Sequence, residues 1–180
     1  LTRSSAASDV YKRQTYTHMS GAELNPSLLK ILNQCYQITY KIRGRQGYLN
    51  EDFFRLLAER IPAALAVAFA KRSGEPIAMS FCLKDQTTLY GRYWGALENI
   101  DCLHFDTCFH QWIDYSIRHG IHRFDPGAQG EHKIARGFAP TITKSHHLIQ
   151  HPEFRDAIAR HVRQENSYIK AYFEACDGAT

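Results

Sequence analysis

The sequence predicts an α+β domain in which a mixed β-sheet is flanked by helices. Three observations carry this. Apolar residues recur at three- and four-residue steps over residues 28–42 and again near the C-terminus, the period of an amphipathic helix. Between residues 63 and 95 the period falls to two, in three runs joined by the short polar turns RSGEP and KDQT, the pattern of an antiparallel meander. A long amphipathic segment then leads into a short run at 121–125, placed to return beside the third strand as a parallel, right-handed β-α-β crossover. With 180 residues, 44% hydrophobic and 12% aromatic, the chain can bury one sizeable core and is short for two.

The first fourteen residues, LTRSSAASDVYKRQ, are small, Ser-rich and basic without an apolar period. Taken literally they are a transit peptide or a disordered arm, and they also resemble the adapter read-through found at the ends of genes assembled from environmental DNA. The expectation is a non-native, disordered tail over 1–14 and a domain over 15–180, the natural protein beginning upstream and this chain being its C-terminal part. From Asn25 the pattern is helical. Leu28, Leu29, Ile31, Leu32, Cys35, Tyr36, Ile38 and Ile42 form one face, with Asn25 as cap, Pro26 in the first turn and Gly44 as stop. A second helix starts after Asn50, with Glu51 and Asp52 in its positive first turn, and runs towards Pro62.

Strands are expected at Ala63 to Lys71, Ile77 to Leu83 and Thr87 to Gly95, then a helix from Asp101 to His119. That helix sets Phe105, Phe109, Trp112, Ile113 and Ser116 on one face, and Asp106, His110, Asp114 and Arg118 on the other. The polar stripe reads as a solvated ladder of i,i+4 pairs, with a metal or catalytic role as the sharper alternative. Gly120 closes the helix, Ile121 to Asp125 is the return strand, and a final helix from Pro152 to Cys176 carries Phe154, Ile158, Val162, Ile169, Tyr172 and Phe173 as its stripe.

Composition excludes several classes. The longest apolar run, Ile61 to Ala70, has ten residues and contains a proline, where a membrane span needs about twenty. No transmembrane segment is therefore expected. Five scattered cysteines, with no C-x-x-C pair and no signal peptide, suggest neither a zinc knuckle nor a disulfide framework and fit a reducing cytoplasm. His146, His147 and His151 lack a Cys or spaced carboxylate to complete a site, so no metal is expected. From Ile121 to Arg163 there are seven Lys or Arg against four Asp or Glu, with six of the ten histidines, a half suited to an anionic partner.

The densest chemistry lies just past the return strand, in DPGAQGEHKIARGFAP over 125–140, where open α/β sheets place their ligands. It is not a Walker A loop: two residues separate Gly127 from Gly130, and Ile134 follows Lys133 where Ser or Thr is needed. Two readings stand. Either the glycines leave backbone N–H groups uncovered and Lys133 and Arg136, three apart, face a phosphate or a developing oxyanion, or they shape a tight surface turn with solvated charges. On the preceding strand Tyr90, Arg92 and Trp94 share one face by alternation, either as a clamp for a planar or phosphorylated ligand or as ordinary packing with a snorkelling arginine.

The stretch FDPGAQGEHKIARGFAPTITKSHH, with TLYGRYWGAL upstream and HPEFRDAI downstream, resembles the FemAB-like family of bacterial N-acyltransferases, and the likeness covers nearly everything after Asn50. The resemblance implies a GNAT-like (acetyltransferase-type) sheet, here the second of two tandem domains, so that an N-terminal GNAT-like domain is missing. More remotely the chain resembles the peptidyltransferases that add amino acids from aminoacyl-tRNA to peptidoglycan precursors. There a lysine followed closely by an aromatic residue lies at the transfer site, and Lys133 with Phe138 is the nearest counterpart. One departure matters: Arg92-Tyr93-Trp94-Gly95-Ala96-Leu97 begins like the Q/R-x-x-G-x-G/A pyrophosphate loop of acetyl-CoA enzymes but ends in Leu97 and lies within a strand.

The resemblance implies transfer of an acyl or aminoacyl group to a small amine or an envelope-precursor amine, the donor being an aminoacyl-tRNA, an acyl-CoA or another activated acyl. Such chemistry requires a proton acceptor, oxyanion stabilisation and positioning. Glu131 or His132 would take the proton and Lys133 would offset the oxyanion. Arg136, Arg92, Trp94, Tyr90, Gln129, Gly127 and Gly130 would hold the substrates. The alternative is a non-catalytic module gripping tRNA or another anion, with Tyr90, Trp94 and Phe138 as stacking platforms.

Overall fold

A computed structural model describes residues 14–127 and 131–177, with only the backbone of Glu131, Ala135 and Asp177. These fall into two compact units that divide between Ala128 and Gln129. The first holds β1 (Gln14–Ser20), α1 (Pro26–Ile42), α2 (Glu51–Arg60), β2 (Leu65–Arg72), β3 (Glu75–Lys84), β4 (Thr88–Ala96), a helix α3, and β5 (Arg123–Asp125). In α3 a short α-helical turn (Leu103–Phe105) leads into a π-helical segment (Asp106–His110) and then an α-helix (Gln111–His119). The second unit holds a 3₁₀ turn (Glu131–Arg136) and α4 (Pro152–Asp177).

The sheet runs β1-β2-β3-β4-β5. β1 to β4 are antiparallel to their neighbours, and β5 pairs parallel to β4 over Thr88–Tyr90, so the expected mixed sheet and its parallel return strand are both present. Helices cover both faces. Leu65, Val67, Phe69, Met79 and Phe81 meet Leu32, Cys35, Tyr36 and Phe54 of α1 and α2. On the other face Ala66, Ala68 and Cys82 meet Trp112 of α3, whose indole N–H donates to the Ser80 hydroxyl at 2.8 Å. Two covered faces explain why β2 is apolar at successive positions rather than alternating.

The helix signals hold. The Asn25 side chain accepts from the Leu28 N–H at 2.9 Å and that of Asn50 from Phe53 at 3.0 Å, capping α1 and α2. Gly120 ends α3 at φ +65°, a left-handed value that suits glycine. β2 starts two residues later than expected because Pro62 opens a 3₁₀ turn over Pro62–Ala64.

Three features depart from expectation. β1 has no counterpart among the expected strands, and Gln14, expected to close the disordered tail, is instead its first residue, opposite Arg72; the rest of that tail lies outside the described residues. β1 is an edge strand whose inward side chains, Tyr16, His18 and Met19, carry little apolar alternation. The π-helical segment inserts an extra residue into one turn of α3 and rotates the later turns about the helix axis. Asp106, expected on the solvated ladder, is thus only 6% exposed and faces His110 Nδ1 at 3.3 Å. Further along, Arg118 donates to the backbone carbonyl of Asp114 at 3.2 Å rather than completing an ion pair with its carboxylate.

Candidate active site

β5 ends at Asp125, so residues 91–96 of β4 run on beyond the parallel pairing. At the end of β5 the Asp125 side chain turns back and accepts the Gly127 N–H at 2.8 Å, an Asx-type turn with Gly127 at φ +90°. At the far end of the motif Gly137, at φ +83°, donates its N–H to the Ile134 carbonyl at 2.9 Å. The glycine N–H groups expected to lie uncovered are therefore taken up by the turn at Gly127 and Gly137. Both residues supply a backbone conformation that a side chain disfavours. Gln129 and Gly130, expected to help bind substrate, lie outside the described residues.

In the second unit the 3₁₀ turn Glu131–Arg136 carries His132, exposed, and Lys133 and Arg136, both half-buried. Side chains three apart eclipse on a 3₁₀ helix, so Lys133 and Arg136 share one face as their spacing implied. The Arg136 guanidinium donates to the His132 carbonyl at 2.6 Å, and the Phe138 N–H to the Lys133 carbonyl at 3.2 Å. The turn is thus closed at its C-terminal end by the residue expected to clamp phosphate. The described part of Glu131 is its backbone at the start of this turn.

On β4 the expected shared face of Tyr90, Arg92 and Trp94 is overturned. Tyr90 pairs with Leu83, Gly91 with Cys82, and Tyr93 with Phe81, so Arg92 is an extra residue in a β-bulge. Directly opposed residues point to the same side of a sheet. Tyr90 therefore lies with Leu83 on the α1–α2 side, and Trp94, opposite Ser80, on the α3 side with Leu103. The Tyr90 hydroxyl donates to the Asp85 carboxylate at 3.0 Å, bracing the β3–β4 turn, and Trp94 packs edge-on to His104 with centroids 5.2 Å apart. Arg92 is exposed at the bulge.

Gly95 has a structural reason. A Cβ there would collide with the Cys35 carbonyl of α1, and the Thr39 hydroxyl donates to the Trp94 carbonyl at 2.7 Å. The Arg92-to-Leu97 string thus seats α1 on the sheet, and its glycine is not part of a phosphate loop. Among the described residues no three His, Cys, Asp or Glu side chains are grouped to hold a metal, and no helix is long and apolar enough to cross a membrane. Sequence reasoning missed the polar row Asn33, Gln37 and Lys41 on α1, although its four-residue steps are readable.

A family model described as FemAB-like, peptidoglycan biosynthesis/recognition, matches residues 4–180. No curated protein sequence matches. Among solved structures, "a possible acetyltransferase from Clostridium difficile 630" superposes with a TM-score of 0.55 at 8% identity, covering 77% of this chain and 99% of the other. The aminoglycoside acetyltransferase AAC(6')-Iy, in complex with a CoA-based bisubstrate analogue, gives 0.52 at 12% identity, with the same coverage of 77% and 99%. L-PGS from Bacillus licheniformis gives 0.50 at 14% identity, covering 68% of this chain and 40% of that one. The sheet and its helices have the acetyltransferase fold.

Proposed function

The chain belongs to the FemAB-like family, and from that premise we propose that it is an N-acyltransferase that moves an acyl or aminoacyl group onto an amine, the acceptor being a peptidoglycan or other envelope precursor. The observation that carries this reading is the family match over residues 4–180 on an acetyltransferase fold. In the reaction Glu131 or His132 takes a proton from the acceptor ammonium, directly or through water. The free amine then attacks the acyl carbonyl, and Lys133 offsets the charge of the tetrahedral oxyanion. Collapse expels the donor's oxygen or sulfur, which leaves with a proton.

In the second unit Arg136, with Gln129 and Gly130 before it in the chain, is the cation proposed for an anionic donor; in the first unit Arg92, Trp94 and Gly127 are proposed separately as substrate contacts. Tyr90 drops out, since its hydroxyl braces the β3–β4 turn. Because Gly95 seats α1, an aminoacyl-tRNA or another activated acyl fits better than acetyl-CoA bound through that string. Such donors are cytoplasmic. The chain from Gln14, the first residue of β1, onward then makes up the acyltransferase part, the second of a tandem pair.

The test offers acetyl-CoA and charged tRNA side by side, with a lysine-containing precursor peptide as acceptor, and reads the acceptor's mass. An acyl or aminoacyl mass increment with one donor is expected. Retained tRNA binding with no transfer from either donor would instead favour the anion-binding module.

A further inference from the structure

The second unit carries α4, a helix of 26 residues and so about 39 Å long. Its period sets Phe154, Ile158, Val162, Ile169, Tyr172 and Phe173 along one stripe. Yet Phe154 is 65% exposed, Ile158 and Val162 39% each and Ile169 42%. Of the described side chains of α4 only Ala159, Phe173 and Cys176 are half-buried. Helices in proteins draw most of their stability from packing such a face. We infer that α4 pairs antiparallel with the α4 of a second copy of this chain, making a homodimer in solution; this stands on the helix alone and not on the acyltransferase reading.

The distribution of charge selects that partner. Over residues 153–164 there are three arginines against two carboxylates, and over residues 165–174 two carboxylates against one lysine. An antiparallel pair therefore sets the basic half of each copy beside the acidic half of the other, with the two helix dipoles opposed. A parallel pair would set like on like. Over residues 153–174 as a whole, four Lys or Arg balance four Asp or Glu. No excess of positive charge is left to draw the helix to an anionic membrane surface or a nucleic-acid backbone.

Side-chain size points the same way. Ala159, Asn166 and Phe173 follow one another at seven-residue steps and so run along one flank of the stripe. With two copies antiparallel about Asn166, the small Ala159 of each stands opposite the large Phe173 of the other, and Val162 comes beside Ile169. A parallel pair would set Phe173 on Phe173 and leave a gap between the alanines. Glu165 interrupts the stripe near its midpoint, a polar group of the kind that specifies register and strand number at a cost in stability.

The test is analytical ultracentrifugation of this chain across the micromolar range, where a concentration-dependent rise to twice the mass of one chain is expected. Ile158→Glu with Ile169→Glu keeps good helix formers on the stripe but buries unpaired carboxylates in the pair, and should weaken association about 100-fold or more. Fluorescence of Trp94 and Trp112, both in the first unit, checks that the rest of the chain is intact. Orientation is read with a short bis-maleimide crosslinker and peptide mass spectrometry, which separates introduced thiols from the native ones. Asn166→Cys should link to itself between copies. Ala159→Cys should not, since its counterpart lies about 21 Å away along an antiparallel pair. A monomer at every concentration would give the stripe to another part of the protein and overturn the inference. A dimer indifferent to the two glutamates, or Ala159→Cys linking to itself as readily as Asn166→Cys, would overturn it as well. Mass and crosslinks are read without turnover, so this result and the acyl-transfer assay fail independently.

Discussion

Lys133 and Arg136 share one face of one 3₁₀ turn, yet their proposed tasks separate in kinetics. An ammonium that offsets charge formed only in the transition state acts on kcat, so Lys133→Ala should lower kcat roughly 100-fold, the effect of removing one oxyanion donor. A cation that grips donor phosphate binds ground and transition states alike, so Arg136→Ala should mainly raise KM. Steady-state kinetics of both variants, with thermal melts as a check on folding, decide this; wild-type turnover in Lys133→Ala would reduce the segment to a structural turn. The spacing of these two residues was legible because a 3₁₀ or α turn brings i and i+3 together either way. The fate of the Gly127 N–H was not, since it depends on the Asp125 side chain folding back over Pro126. Tyr90, Arg92 and Trp94 failed for another reason: strict alternation assumes one residue per step, and the bulge at Arg92 adds one.

Elements that were well predicted are those whose ends are set by local chemistry, such as α1 and α2 with their asparagine caps. Those that were missed or misjudged depend on a neighbour: β1 has meaning only against β2 and α3, and the π-helical segment only against the strands β2 and β3 that it packs on. The seating of α1 on β4 at Gly95 gives a stringent test. Gly95→Ala would place a methyl against the Cys35 carbonyl, main chain that cannot move aside, and should cost about 3 kcal/mol or more in a denaturant titration; a loss below about 1 kcal/mol would mean that the helix sits further from the sheet. The docking of β1 on α3 gives a second. His18 lies edge-on to Trp112 at 5.3 Å, and burial, followed by the nearby Arg118, lowers its pKa below the usual 6.5. The unfolded chain therefore takes the proton first as pH falls, so this contribution to stability is complete above 6.5 and is lost as pH falls from there through the lower folded value. The unfolding midpoint should decline as the medium is acidified from neutral through that range, and His18→Gln should flatten the decline; an equal slope in the variant would assign it to other groups.

At the scale of the whole sheet, two thiols report on its two covered faces. Cys35 is buried between α1 and the sheet, where desolvation pushes its pKa up to about 12, and Cys82 is buried on the α3 side with its pKa also raised by burial. Cys102 is exposed. Iodoacetamide in mildly alkaline buffer followed by peptide mass spectrometry should mark Cys102 and spare Cys35 and Cys82 until denaturant unfolds the sheet, whereas early labelling of Cys35 or Cys82 would mean that the corresponding face is open. The sheet class was legible from the sequence because three of its four pairings join strands that are near in the chain or linked by one helix. The fourth, β1 with β2, reaches across α1 and α2. That arrangement also sets an order of events. Short turns let β2, β3 and β4 meet at little entropic cost, while β1 leaves the ribosome before them and must wait, unpaired, for a partner made two helices later. β1 should therefore zip on after the rate-limiting step, and stopped-flow measurements on His18→Gln should find faster unfolding with nearly unchanged refolding. A strand made ahead of its partners would be the last to be fastened.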